Sequence, residues 1–82
     1  MSDAENSERI LDLKGEVCPF TFVKSKLELE TMEIGQVLKI LVDNNESAAN
    51  VPRSLDLEGQ SVLSVEKEAI GGLWAIVVEK SV

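Results

Sequence analysis

A two-layer α/β sandwich is the fold class this sequence predicts, and three observations predict it. Four short apolar runs rich in aliphatic and β-branched residues alternate with two longer stretches of helical spacing. The first helical stretch lies between two such runs, which makes a β-α-β unit with a right-handed crossover. Gly71-Gly72 joins the last two runs and signals a hairpin. The order is then β-α-β-α-β-β, with two helices covering one face of a four-stranded mixed sheet.

Each element has its own warrant. Residues 1–9 are polar and acidic without periodicity and are expected to form a flexible tail, leaving 10–82 as a single domain. Ile10 to Leu13 reads as a short strand. From Pro19 to about Met32, Phe22, Ser25, Leu29 and Met32 share one helical face, and Phe20, Val23 and Leu27 lie on a second flank. Gly35 ends that helix. Gln36 to Val42 reads as a strand buried on much of both faces. Asp43-Asn44-Asn45 supplies turn and cap chemistry for a helix from Glu46 to Leu57. Pro52 is expected to kink or restart it, and Gly59 closes it. Ser61 to Glu68 and Leu73 to Lys80 are the hairpin strands, with Trp74 in the core.

Composition excludes several functions. The net charge is −7, from 8 basic and 15 acidic residues, and the basic ones are scattered. Nucleic-acid binding needs clustered Lys and Arg, so no nucleic acid is expected as a partner. The chain has no histidine and one cysteine. It therefore has no Cys–His dyad, no internal disulfide and no basis for a zinc site, so no metal is expected. No apolar run is long enough to span a bilayer, so no membrane association is expected. A lone free thiol points to a cytoplasmic protein, and a monomer is expected.

The single cysteine, Cys18, follows the polar turn Lys14-Gly15-Glu16 and precedes Pro19. A lone cysteine is usually an inert, buried hydrophobe. Here the polar turn argues for a loop–helix junction open to solvent. Proline is favoured at the first helical position, which puts Cys18 at or near the N-cap. Free amides and the helix dipole there favour a negative sulfur, so the thiol should be more acidic than the free value of about 8.5. Gly15 and Pro19 shape the turn, Asp12 ends the strand, and Thr21 adds an amide and a hydroxyl. These four are the expected supports of the thiolate. The Thr21 hydroxyl can stabilise the anion or simply face water. Lys24 and Lys26 offer docking charges, and Phe20 and Val23 offer apolar docking area if exposed.

Cysteine protease chemistry fails for want of a histidine base, and a dithiol site fails because Thr21 stands where a second cysteine would. What remains is a thiol that carries something. Leu11-Asp12-x-x-Gly15-x-x-Cys18-Pro19-x-x-Phe22 resembles the signature of the TusA/SirA-like sulfur-carrier family, in which a glycine turn leads into Cys-Pro-x-Pro at a helix start. The resemblance runs from about Ile10 to Lys80, with Thr21 in place of the second proline. It implies a sulfurtransferase without a cofactor. Sulfur would arrive from a cysteine desulfurase or rhodanese, ride on Cys18 as a persulfide, and pass to an acceptor protein. Two other readings compete. One is a monothiol glutaredoxin-like protein, against which the terminal strand and the helical setting of Val51-Pro52 count. The other is a non-catalytic regulatory or partner-binding module of the same fold. That fold is similar to the RNA-associated C-terminal domain of bacterial initiation factor three, whose role the acidic charge opposes.

Overall fold

Along the second strand Leu38, Ile40 and Val42 are sealed from water, while the intervening Val37, Lys39 and Leu41 are half-buried. That alternation identifies one covered and one open sheet face. The structure, a computed structural model, describes residues 8–17, 19–68 and 71–82. Its elements are β1 (Glu8–Asp12), α1 (Phe20–Glu30), β2 (Val37–Val42), α2 (Asn45–Leu57), β3 (Ser61–Lys67) and β4 (Trp74–Glu79). The sheet order is β1-β2-β4-β3, with β1 parallel to β2 and β4 antiparallel to both β2 and β3. This is the predicted two-layer architecture. Leu38, Ile40 and Val42 of β2 and Ile76 and Val78 of β4 form one core cluster with Leu29 and Met32 from the first helical segment and Ala48, Val51 and Leu55 of α2.

Several boundaries differ from the sequence reading. The first strand begins at Glu8, so the last two residues of the expected 1–9 tail are strand; residues 1–7 lie outside the described residues. The burial expected on both faces of β2 holds only for the helix side. Pro52 neither breaks nor restarts α2, which runs continuously through it for 13 residues. Proline there forfeits one bond to the preceding turn. Val51 and Leu55, both fully buried beside it, hold the helix against the sheet. Gly59 does end α2, with φ +97°. Its N–H reaches Asp56 O at 3.0 Å and Gln60 N–H reaches Leu55 O at 3.1 Å, a Schellman closure. In the hairpin, Gly71 and Gly72 both have positive φ, and Glu68 N–H donates to Leu73 O at 2.7 Å.

The glutaredoxin alternative fails on this topology. Val51-Pro52 sits inside α2 instead of entering a strand, and the last element is β4.

Candidate functional site

The segment between β1 and α1 is shaped by hydrogen bonds to its own turn and to the β2–α2 junction. Asp12 Oδ1 accepts from Lys14 N–H at 3.0 Å, and its other oxygen lies 3.5 Å from Lys14 Nζ. Glu16 N–H donates to Leu13 O at 3.1 Å, closing a turn in which Gly15 has φ +88°. A side chain at that φ is strained, so the position favours glycine. Gly15 N–H then donates to Asp43 Oδ2 at 2.9 Å, and Asn44 Nδ2 donates to Glu16 O at 3.0 Å. Asn44 Oδ1 meanwhile accepts from Ser47 N–H at 2.7 Å and is the side-chain N-cap of α2. One residue thus caps a helix and holds a loop 28 positions away in the chain.

Cys18 lies outside the described residues. Its chain neighbours are described. Val17 O accepts from Phe20 N–H at 2.8 Å and from Thr21 N–H at 3.3 Å. Pro19 is the N-cap of α1, not its first helical residue, and makes no side-chain cap bond. The helix therefore starts one residue later than the sequence suggested, with Thr21 its second residue. Two of the amides expected to face an anion at this terminus are turned to Val17 O.

Thr21 corrects one reading outright. Its side chain does not face water: it is fully buried, and its Oγ1 shares a 3.0 Å hydrogen bond with the equally buried Ser47 Oγ. Beneath it, Ser25 Oγ donates to Thr21 O at 2.7 Å. A hydroxyl–hydroxyl bond thus joins the first turn of α1 to that of α2.

The second flank of α1 is not extra core. Phe20, Val23 and Leu27 are 56%, 44% and 56% exposed, and Val17 ahead of them is 54% exposed. Spacings of three and four align them on one outward stripe beside the start of the helix. The two lysines among them are paired: Lys24 Nζ lies 2.9 Å from Glu16 and Lys26 Nζ lies 3.5 Å from Glu58, all four side chains exposed. Trp74, expected in the core, is half-buried at its margin. Its indole N–H donates to Asn45 Oδ1 at 3.2 Å, and Lys67 Nζ stands 5.6 Å from the ring centre. With Ala48 and Ala49 they line an open cavity of about 420 Å³.

Sequence reasoning named Asp12, Gly15, Pro19 and Thr21, and the structure places all four around the β1–α1 segment. It missed Asp43, Asn44 and Ser47 as partners of that segment. The Asp43-Asn44 pair was visible as turn and cap chemistry, but nothing local announces its reach to Gly15 and Glu16. Among the described residues, no cluster of His, Cys, Asp and Glu is arranged to hold a metal ion, and no helix is long and apolar enough to cross a membrane.

Residues 9–80 match the family described as Sulfurtransferase TusA. A candidate sulfur carrier protein of Archaeoglobus fulgidus is 45% identical over 75 residues, covering 90% of this chain and 83% of that protein. Another, from Thermotoga maritima, is 34% identical and covers 87% of this chain and 89% of its own. The crystal structure of a SirA-like protein from Desulfitobacterium hafniense superposes with a TM-score of 0.78, covering 90% of this chain and 99% of that one. At 24% identity that likeness is one of fold.

Proposed function

The chain belongs to the TusA sulfurtransferase family, and on that footing we propose that it is a sulfur carrier that holds sulfur as a persulfide on Cys18 and relays it to an acceptor protein. The observation that carries this reading is the bracing of Gly15 and Glu16 by Asp43 and Asn44, directly ahead of the chain's only cysteine. Residues 8–82 act as one domain, a cytoplasmic monomer between encounters. The donor is a protein persulfide, such as that of a cysteine desulfurase or rhodanese.

The step balances without a cofactor or an oxidant. The Cys18 thiolate attacks the terminal sulfur of the donor persulfide. A new S–S bond forms at Cys18, and the bond between the terminal sulfur and the donor cysteine breaks. The electron pair leaves with the donor cysteine as thiolate. Delivery repeats the exchange, with the acceptor as nucleophile and Cys18 as leaving group. A low thiol pKa serves both halves, since it populates the attacking anion and improves the leaving group. Gly15, Asp12 and Pro19 shape the approach to the sulfur, and Thr21 supports it from α1.

Hand-off brings two sulfurs within bonding distance, so the partner covers the start of α1. The exposed stripe of Phe20 and Val23 is the apolar part of that docking face. Lys24 and Lys26 lie at its rim.

Incubation with a cysteine desulfurase and cysteine, read by intact mass, tests the proposal. One added sulfur on the wild type and none on Cys18→Ser is the expected result. Serine is nearly isosteric, so the variant should stay folded. A wild type that gains no sulfur would sink the carrier reading and favour a partner-binding module.

A further inference from the structure

We propose that the first turn of α2 is a two-point clamp on the segment that contains Cys18, and that Asn44 and Ser47 are positioning residues for sulfur uptake. The inference rests on the carrier reading. Its observation is separate: Glu16 and Thr21 flank Cys18 in the chain, and both are bonded to residues three apart at the start of one helix. Asn44 Nδ2 donates to Glu16 O at 3.0 Å on one side. Ser47 Oγ and Thr21 Oγ1 share a 3.0 Å bond on the other. The two clamp residues are themselves joined, because Ser47 N–H donates to Asn44 Oδ1 at 2.7 Å.

Burial sets the quality of the second point. Thr21 and Ser47 are both fully buried. In such surroundings a hydrogen bond is electrostatically stronger than in water, and losing one partner is costly. A bond of this kind is directional, whereas apolar packing at the same place would tolerate sliding of one helix along the other. The ends of the segment are therefore fixed before a partner arrives. Ordering it in advance removes that cost from the encounter with the donor. The clamp acts through the backbone it fixes.

Single substitutions confuse positioning with stability, since each removes a buried hydrogen bond. The double variant Thr21→Val/Ser47→Ala separates them. Replacing both members of a buried pair by apolar groups of similar shape is close to neutral for stability. Its melting temperature should return near that of the wild type from the lower values of the singles. Its saturating rate of sulfur uptake from a cysteine desulfurase should stay about tenfold down, within the loss that a small misplacement causes. The donor concentration for half-maximal rate should hold, because the outward face of α1 is untouched. Thr21→Ser, which keeps the hydroxyl, should restore uptake. Alkylation with iodoacetamide across pH gives a second readout, independent of sulfur chemistry. If the clamp fixes the surroundings of the thiol, the midpoint of the double variant should differ from that of the wild type. A double variant matching the wild type in both stability and saturating rate would overturn the clamp. So would a Thr21→Ser variant as slow as Thr21→Val. A wild type that takes up no sulfur while its alkylation midpoint still differs from that of the double variant would overturn the carrier reading and leave a clamp on the thiol standing. Coincident midpoints in that case would overturn both.

Discussion

The two helices meet differently along their length. At their first turns they share a buried hydroxyl bond, Thr21 against Ser47, while Ser25 bonds back to Thr21 O within α1. Farther along, Leu29 and Met32 from the α1 segment and Val51 and Leu55 of α2 join the strand residues in the apolar core. Area removed from water stabilises in proportion to its extent and with little regard to direction. A buried hydrogen bond adds less net stability but fixes relative position. The apolar part thus holds the domain together, and the hydroxyl part fixes the first turn of α1 against that of α2.

The largest expected effect lies in the apolar part. Leu55 is 1% exposed and Leu57, two residues on, is 80% exposed. Leu55→Ala should cost about 2–5 kcal/mol through lost burial and the cavity left behind. Leu57→Ala should stay within about 0.5 kcal/mol. Chemical denaturation would read both. Sulfur uptake per folded molecule should be unchanged in either. A Leu55→Ala protein that stays folded yet transfers slowly would erase the division between the two parts.

Asn44 sits on that division, because one side chain caps α2 and holds Glu16. Asn44→Ala should cost about 1 kcal/mol for the cap alone. Asn44→Asp sharpens the comparison. It keeps the acceptor for Ser47 N–H and loses the donor to Glu16 O. Its stability should stay near wild type while sulfur uptake slows. Equal uptake by the aspartate variant and the wild type would remove the Glu16 bond from any functional role.

What was legible in the sequence divides the same way. The order of elements, the parallel–antiparallel mixture and the buried Ser25, Leu29 and Met32 follow from spacing, because burial repeats with the helix or strand period. The apolar sets on either side of Pro52 likewise outlast its local penalty, so reading the proline by itself overstated a break in α2. The hydroxyl part was not legible. Thr21 and Ser47 are 26 residues apart, and a serine or threonine in a first helical turn looks locally like a cap or a solvated group. The reach of Asp43 and Asn44 to Gly15 and Glu16 was hidden for the same reason. Periodicity reports which face is buried. It does not report which polar group meets which across the fold.

The smallest expected effect on stability concerns the outward stripe of α1, which belongs to neither part of the helix contact. Phe20 is 56% exposed, so Phe20→Ala should shift stability by no more than about 0.5 kcal/mol. Lys24 pairs with Glu16 at 2.9 Å, but both side chains are exposed. Such a pair contributes about 0–1 kcal/mol, so Lys24→Glu should also unfold near the wild-type midpoint. Their effects on transfer should differ in kind. A rim charge acts mainly on association, and salt screens it. An apolar anchor covered in the complex acts on dissociation and is largely indifferent to salt. Lys24→Glu should therefore slow transfer at low salt and converge on the wild type at high salt, whereas Phe20→Ala should stay slow at both. Transfer kinetics at two salt concentrations decide the matter. If both variants match the wild type throughout, the partner docks elsewhere, and the exposed stripe beside the Cys18 segment needs a different explanation.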